Sequence, residues 1–201
     1  MNIAFLRHGK TQGNLEHRYV GSTDYPLCGE GVEELRALLG KGIYPDAEHL
    51  YVSPLLRCRE TGSLLYPGVP STLLDGLREQ HYGEFENKSY SELKHDPAFR
   101  AWIDAEGGQP PPGGESPEAF AERTGAALDW LLRDAREKGY GSIAVVTHGG
   151  VMMSLFSRYA RPVRDFYGWQ AGNGRGFLFK PTAADRTLTL LKTIDCEEVV
   201  L

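Results

Sequence analysis

"NIAFLRHG", residues 2–9, runs through a short apolar stretch and stops at an Arg-His-Gly cluster. A run this short, bounded by polar residues, reads as a buried strand, with the polar cluster where the strand surfaces. Two further segments repeat the pattern: "HLYVSPLLR" at 49–57 and "SIAVVTHGG" at 142–150. Together they place Arg7, His8, Arg57 and His148 at or just beyond the ends of three apolar runs.

Helical periodicity fills the intervals. Residues 29–39 align Val32, Leu35, Leu38 and Leu39, and Ser116 to Lys138 align Phe120, Ala127, Leu128, Leu131, Leu132 and Ala135. Pro117 suits the first turn of the second helix and Gly139 its stop. "CGEG" at 28–31 lacks the Gly-Lys-Ser/Thr of a nucleotide-binding turn and reads as a helix start at 31. Strands alternating with helices predict an α/β fold, a three-layer αβα sandwich with a mostly parallel central sheet. "GFLFK" (176–180) and "TLTLLKTI" (187–194), joined by the polar "PTAADR" turn, predict a late antiparallel pair at a sheet edge. Residues 84–115 are expected to form a small helical cap inserted in a single domain spanning 1–201. Its Pro-Gly stretch, "QPPPGG", reads either as a surface connection or as a lid that selects substrate. Phe99 and Trp102 either contact substrate there or pack.

The composition narrows the class. A chain of 201 residues, 41% hydrophobic and 24% charged, suits an ordinary globular domain with a full core. A net charge of −5 argues against nucleic acid or an anionic membrane as partner, yet leaves room for a local cationic pocket. Cys28, Cys58 and Cys196 form no Cys-x-x-Cys pair and fit a reducing cytoplasm. The apolar residues before Arg7 are too few for a signal peptide, and no stretch is long enough to span a membrane.

In parallel sheets, ligands bind outside the carboxyl ends of the strands, so neighbouring strands would bring Arg7, His8, Arg57 and His148 into one crevice. Within "SPLLRCRET", Ser53 reads as a helix N-cap and Pro54 as the first helical residue. Arg57 then lies near a helix N-terminus, which itself attracts anions. Phosphate fits such a pocket best, because planar guanidinium forks grip its oxygens in pairs. A neutral imidazole can attack phosphorus, which gives His8 as nucleophile and a phosphohistidine as intermediate. Arg7, Arg57 and His148 would hold the remaining oxygens. Glu79, in "LREQHYGEF" (77–85), is the candidate general acid, because a phosphate dianion nearby raises a carboxyl pKa. Arginines at the strand ends repel cations, so no metal is expected, and no organic cofactor is needed. None of the cysteines opens a glycine-rich phosphate loop. His17, His49, His81 and His95 read as surface or packing residues.

These segments also carry a family resemblance. In order, "LRHGKTQGN", "YVGSTDYPLCGEG", "SPLLRCRET", "LREQHYGEF", "PPPGGESPEAF" and "VVTHGGVM" resemble the histidine phosphatase superfamily, which includes cofactor-dependent phosphoglycerate mutases and many small phosphatases. The resemblance implies His8 as the phosphorylated histidine and Glu79 as proton donor. It also implies Arg7, Arg57 and His148 as the phosphate pocket, with Asn14 as a further phosphate contact. The substrate would be a small-molecule phosphate ester. Lys10 stands where an acidic residue is usual in the family, and Met152 where many relatives carry an arginine. The cap's basic residues are Lys88, Lys94, His95 and Arg100, without the adjacent arginines of the mutases, which favours phosphomonoester hydrolysis. "LREQHYGEFENKSYSEL" and "PPPGGES" look most like the α-ribazole phosphatase branch of cobalamin synthesis, and broad-specificity sugar phosphatases share much of this pattern. A non-catalytic phosphate-ester-binding module would need neither His8 nor Glu79.

Overall fold

Alternation along the first strand decides how the layers stack. The structure, a computed structural model, describes residues 1–105, 108–182 and 186–195. Its strands are β1 (Asn2–Arg7), β2 (His49–Val52), β3 (Ser71–Leu73), β4 (Ser142–Thr147), β5 (Ala160–Arg161), β6 (Gly176–Pro181) and β7 (Leu188–Ile194). Its helices are α1 (Gln12–Leu15), α2 (Gly29–Gly40), α3 (Leu56–Leu65), α4 (Tyr90–Leu93), α5 (Pro97–Asp104), α6 (Pro117–Glu137) and α7 (Gly149–Tyr159). Side chains two apart on a strand share a face. Ile3 and Phe5 of β1, with Ile143 and Val145 of β4, therefore pack against Leu128, Leu131, Val151 and Leu155 of α6 and α7. Ala4, Leu6, Ala144 and Val146 point the other way, against Leu35, Cys58 and Leu65 of α2 and α3. Both faces are buried, and each fully buried aliphatic side chain contributes about 2 kcal/mol.

Among the described residues the sheet has seven strands in the order β3-β2-β4-β1-β6-β7-β5. The block β3-β2-β4-β1 is parallel, β6 pairs antiparallel with β1 and β7, and β5 closes the far edge parallel to β7. β1 therefore lies between β4 and β6, with β2 beyond β4. The chain leaves β1 toward α2 on one face and leaves β4 toward α7 on the other, which opens a crevice at their carboxyl ends.

Several expectations change in detail. The antiparallel pair β6–β7 forms, but β5 pairs along the outer side of β7, so the pair is not the edge. β3 and β5 are too short and too polar to show in an apolar pattern; they form where a neighbouring strand offers unpaired backbone. Part of the "PTAADR" turn, residues 183–185, lies outside the described residues, as does Cys196. The first long helix begins at Gly29, capped by Cys28, whose Sγ accepts from Gly31 N at 3.4 Å. Leu39 turns outward and is 40% exposed. Ser53 and Pro54 do not start α3. Leu55 takes the N-cap position, and Asp24 accepts from the Leu56 N–H at 2.7 Å, so a carboxylate from another loop caps the helix. No helix among the described residues is long and apolar enough to cross a membrane.

Beyond the acid segment the chain forms α4 and α5 with a small aromatic cluster of its own. Phe85, Leu93 and Phe99 are its buried centre, and Tyr19, Tyr82 and Trp102 pack against it. Phe99, 1% exposed, is a packing residue. The Pro-Gly turn at 110–114 does not close over the crevice. It clasps the acid segment, with Glu84 N donating to Pro112 O at 2.8 Å and Glu115 N to His81 O at 2.9 Å.

Candidate active site

His8 sits one residue past β1, and its backbone is held from both sides. Its N–H donates to Thr147 O at 2.9 Å, and its carbonyl accepts from Asn173 Nδ2 at 3.0 Å. The ring is held too. His8 Nδ1 lies 2.6 Å from the carbonyl oxygen of Gly9, a contact that requires Nδ1 to donate. The proton is thus on Nδ1 and the lone pair on Nε2. Burial, then the charges of Arg57 and Arg7, hold the imidazole well below its usual pKa, so Nε2 is unprotonated at neutral pH. Gly9 N in turn donates to Thr61 Oγ1 on α3 at 3.0 Å, tying this loop to the helix that carries Arg57.

Arg57 is 1% exposed, and each of its nitrogens already donates one hydrogen bond. Nη1 and Nη2 reach Thr23 O and Gly21 O, both at 2.8 Å, and Nε reaches His148 Nδ1 at 3.3 Å. A guanidinium has five N–H groups, so two remain on Nη1 and Nη2 for an anion. The loop that supplies those carbonyls is organised by Glu86. Its carboxylate accepts from Ser22 N (2.8 Å), Gly21 N (3.2 Å), Thr23 Oγ1 (2.8 Å) and Tyr82 N (3.0 Å). Burial opposes the charge, but these hydrogen bonds outweigh it and hold the Glu86 pKa below the ordinary carboxyl value. Arg7 donates from Nη1 to Ala171 O at 2.8 Å, while its Nε is buried with no hydrogen-bond partner among the described residues.

His148 stands behind Arg57 rather than on the pocket wall. It is fully buried, its ring centroid 5.2 Å from that of His8. Its Nδ1 accepts from Arg57, so Nε2 carries the proton and donates to Ser53 Oγ at 2.8 Å. Burial, followed by the Arg57 charge, keeps it neutral. In this geometry both ring nitrogens are engaged, and the side chain orients Arg57. Burial pushes the neighbouring Cys58 thiol up to about 12, too high for a thiolate nucleophile.

Glu79 faces His8 across the crevice. Its Oε2 accepts from Gly150 N at 2.9 Å and its Oε1 from Gln80 N at 3.0 Å. Burial raises its pKa, against the pull of those N–H groups and the charges of Arg57 and Arg7, which suits a proton donor. A Cβ on Gly150 would lie 2.4 Å from Glu79 Oε1, so only glycine lets the carboxyl approach this helix N-terminus.

Around these groups is a cleft of about 180 Å³, lined by Arg7, His8, Asn14, Arg57, Glu79, Gly149 and Gly150 below. Thr11, Arg18, Tyr19, Val20, Tyr82, Met153 and Gln170 line the rest of it, Tyr19 and Tyr82 as part of the aromatic cluster around Phe99. Asn14 stands in a capping box with Thr11, its Oδ1 accepting from Thr11 N at 3.0 Å. Five of the six predicted site residues thus line one cleft, and His148 supports it from behind. Lys10 points away, into Glu30 (2.7 Å) and Glu34 (3.1 Å). Met152 is buried in the core; the next residue, Met153, is the one that faces the cleft. His17, His81 and His95 are exposed, and His49 stacks on Tyr140. Ser53 and Glu86 escaped the sequence reading as parts of the site. Glu86 follows directly on the "YGEF" segment, its only signal.

A mostly parallel α/β sheet whose one end gathers two arginines, a neutral histidine and a carboxyl with its pKa raised by burial defines a phosphoryl-transfer enzyme with a nitrogen nucleophile. The model of the histidine phosphatase superfamily (branch 1) matches residues 3–192, and the chain belongs to that superfamily. Together with its phosphatase-named relatives, that membership marks it as an enzyme acting on phosphate esters. An adenosylcobalamin/α-ribazole phosphatase of Salmonella typhimurium is 28% identical over 164 residues, 79% of each chain. A 2,3-bisphosphoglycerate-dependent phosphoglycerate mutase 2 of Gloeobacter violaceus is 37% identical over 163 residues, 76% of this chain and 73% of that one. The crystal structure of the α-ribazole phosphatase from Shigella flexneri has the same fold, with TM-score 0.83 and 22% identity over 97% of this chain and 96% of that one.

Proposed function

We propose that the chain hydrolyses the 5′-phosphate of α-ribazole by way of a phosphohistidine on His8. The observation that carries the mechanism is the 2.6 Å contact of His8 Nδ1 with Gly9 O, which leaves Nε2 as the free nucleophile. The ester's phosphoryl group binds to the remaining N–H groups of Arg57 and to Arg7, with Asn14 beside it. His8 Nε2 attacks phosphorus, the P–O bond to the alcohol breaks, and the Glu79 carboxyl gives its proton to the departing oxygen. The Glu79 carboxylate then takes a proton from water as that water attacks phosphorus. The P–N bond breaks, inorganic phosphate leaves, and both residues return to their starting states. Arg7 and Arg57 counter the charge on the transferring group throughout.

Hydrolysis rather than mutase chemistry is supported by the upper part of the cleft. A phosphoglycerate carboxylate needs a cation there, but Lys88, Lys94 and Arg100 are exposed away from the cleft. Arg18 reaches the cleft but is tied to Glu16 (2.5 Å) and Glu92 (3.1 Å). The wall formed by Tyr19, Val20, Tyr82 and Met153 is aromatic and apolar, with Gln170 as a neutral polar group beside it, a surface suited to the ring of a nucleoside-like alcohol. The test is phosphate release from α-ribazole 5′-phosphate, 3-phosphoglycerate and a fructose bisphosphate, by wild type and His8→Ala. Selective release from α-ribazole 5′-phosphate, abolished in the variant, is expected. Equal release from all three would discard the substrate, and isomerisation of 3-phosphoglycerate without release would make the chain a mutase.

A further inference from the structure

We infer that Arg123 and Glu115 are positioning residues for proton donation, setting the place of the Glu79 carboxyl through the backbone of residues 76–81. The inference rests on the reading of Glu79 as the proton donor. Among the described residues, the Glu79 carboxyl accepts hydrogen bonds only from backbone groups, the N–H of Gly150 and that of Gln80. Where its carboxyl stands therefore depends on where its own backbone stands.

That backbone is gripped by one guanidinium. Arg123, on α6, donates from Nη1 to Gly76 O and Arg78 O, both at 3.0 Å, and from Nη2 to Glu79 O at 3.5 Å. Its other edge forms a fork on Glu115, Nε to Oε1 at 2.9 Å and Nη2 to Oε2 at 2.7 Å. Glu115 then takes up the far half of the segment with its own backbone. Its N–H donates to His81 O at 2.9 Å, and its carbonyl accepts from Gln80 Nε2 at 3.0 Å. The pair thus bonds to five consecutive-region residues: Gly76, Arg78, Glu79, Gln80 and His81. A partly exposed ion pair adds little to stability by itself, so this concentration of bonds on one segment points to placement. The backbone just past the segment is closely packed. Gly83 adopts φ +54°, and a Cβ there would lie 2.0 Å from Pro112 O.

A lysine at 123 keeps the charge but cannot span carboxylate and carbonyls at once. The readout is leaving-group dependence, using 4-nitrophenyl phosphate, whose alcohol departs without a proton, and 4-nitrobenzyl phosphate, whose alcohol needs one. Arg123→Lys and Glu115→Gln are expected to lower kcat/KM on the benzyl ester by about 10- to 100-fold, and on the phenyl ester by less than about threefold. Equal losses on both esters, or no loss on either, would overturn the inference. If Arg123→Lys does not fold, Glu115→Asp, which keeps the charge and shortens the reach, carries the same test. Glu79→Gln is run beside them. If Glu79→Gln lowers kcat/KM, which reports transfer to His8 and not the later water step, equally on both esters, the acid reading itself has failed. If Glu79→Gln discriminates between the esters and the Arg123 and Glu115 variants do not, only the positioning role falls.

Discussion

The floor of the cleft and its roof are built by different physics. On the floor each group is held by directional polar bonds: Arg57 by two carbonyls and His148, His8 by the Gly9 carbonyl, Glu79 by two N–H groups. The roof is held by ring contacts, with Tyr19 edge-on to Tyr82 (5.8 Å), Phe99 (5.5 Å) and Trp102 (5.8 Å). Polar bonds lose their strength over a few tenths of an ångström and outside narrow angles, whereas apolar contacts re-form after small shifts. The floor therefore fixes a reaction, and the roof can change its substrate at little cost to the chemistry.

Among changes to the groups that hold the floor in place, the largest effect is expected from Gly150→Ala, because the new Cβ would meet the Glu79 carboxyl. It should lower kcat/KM on an alkyl phosphate by about 100-fold, and unchanged turnover would show the floor to be looser than its bonds imply.

Next comes acid. Folded His8 and His148 hold out against protonation, while in the unfolded chain they take up protons below about pH 6.5. The unfolded state then binds more protons, so stability falls as pH drops below that value, by up to about 1.4 kcal/mol per pH unit for each histidine. Glu79 works the opposite way. Its folded pKa is raised, so its contribution is present at low pH and is lost as pH rises through that value. Urea melts between pH 7 and 5 should show the decline, about halved in His148→Gln; a flat profile would remove both buried histidines from the account.

A smaller effect is expected at Glu86, two hydrogen bonds away from Arg57. Glu86→Gln weakens the loop that holds Arg57 and should raise the inhibition constant of inorganic phosphate about tenfold. No change would mean that the Gly21 and Thr23 carbonyls stay in place without it. The smallest belongs to the roof: Tyr19→Leu should shift relative KM values among phosphate esters by about threefold, with kcat on 4-nitrophenyl phosphate unaltered. A collapse of kcat there would erase the distinction between roof and floor.

The floor was far more legible in the sequence than the bonds that support it. Arg7, His8, Arg57 and Glu79 stand beside strand ends or in recognisable segments, so local pattern leads to them. Ser53 misleads because Ser-Pro before an apolar run is a genuine local cap signal, while its hydroxyl is taken by His148, 95 residues away. Glu86 is invisible for a similar reason, since its partners lie in a loop more than sixty positions earlier. The strands of the central block announce themselves by burial on both faces, whereas β3 and β5 exist only because a neighbour offers them backbone. Facing within a helix is a matter of one residue, and it separates Met152 in the core from Met153 in the cleft.

Glu86 also marks a seam for recombination. It lies in the stretch that leads into the roof, yet its carboxylate organises the loop behind Arg57. A chimera that imports a foreign roof from residue 84 onward would exchange this carboxylate along with the aromatic walls, and so trade catalytic competence together with selectivity. One spliced after Lys88 would keep the carboxylate, and the two properties could then be inherited separately.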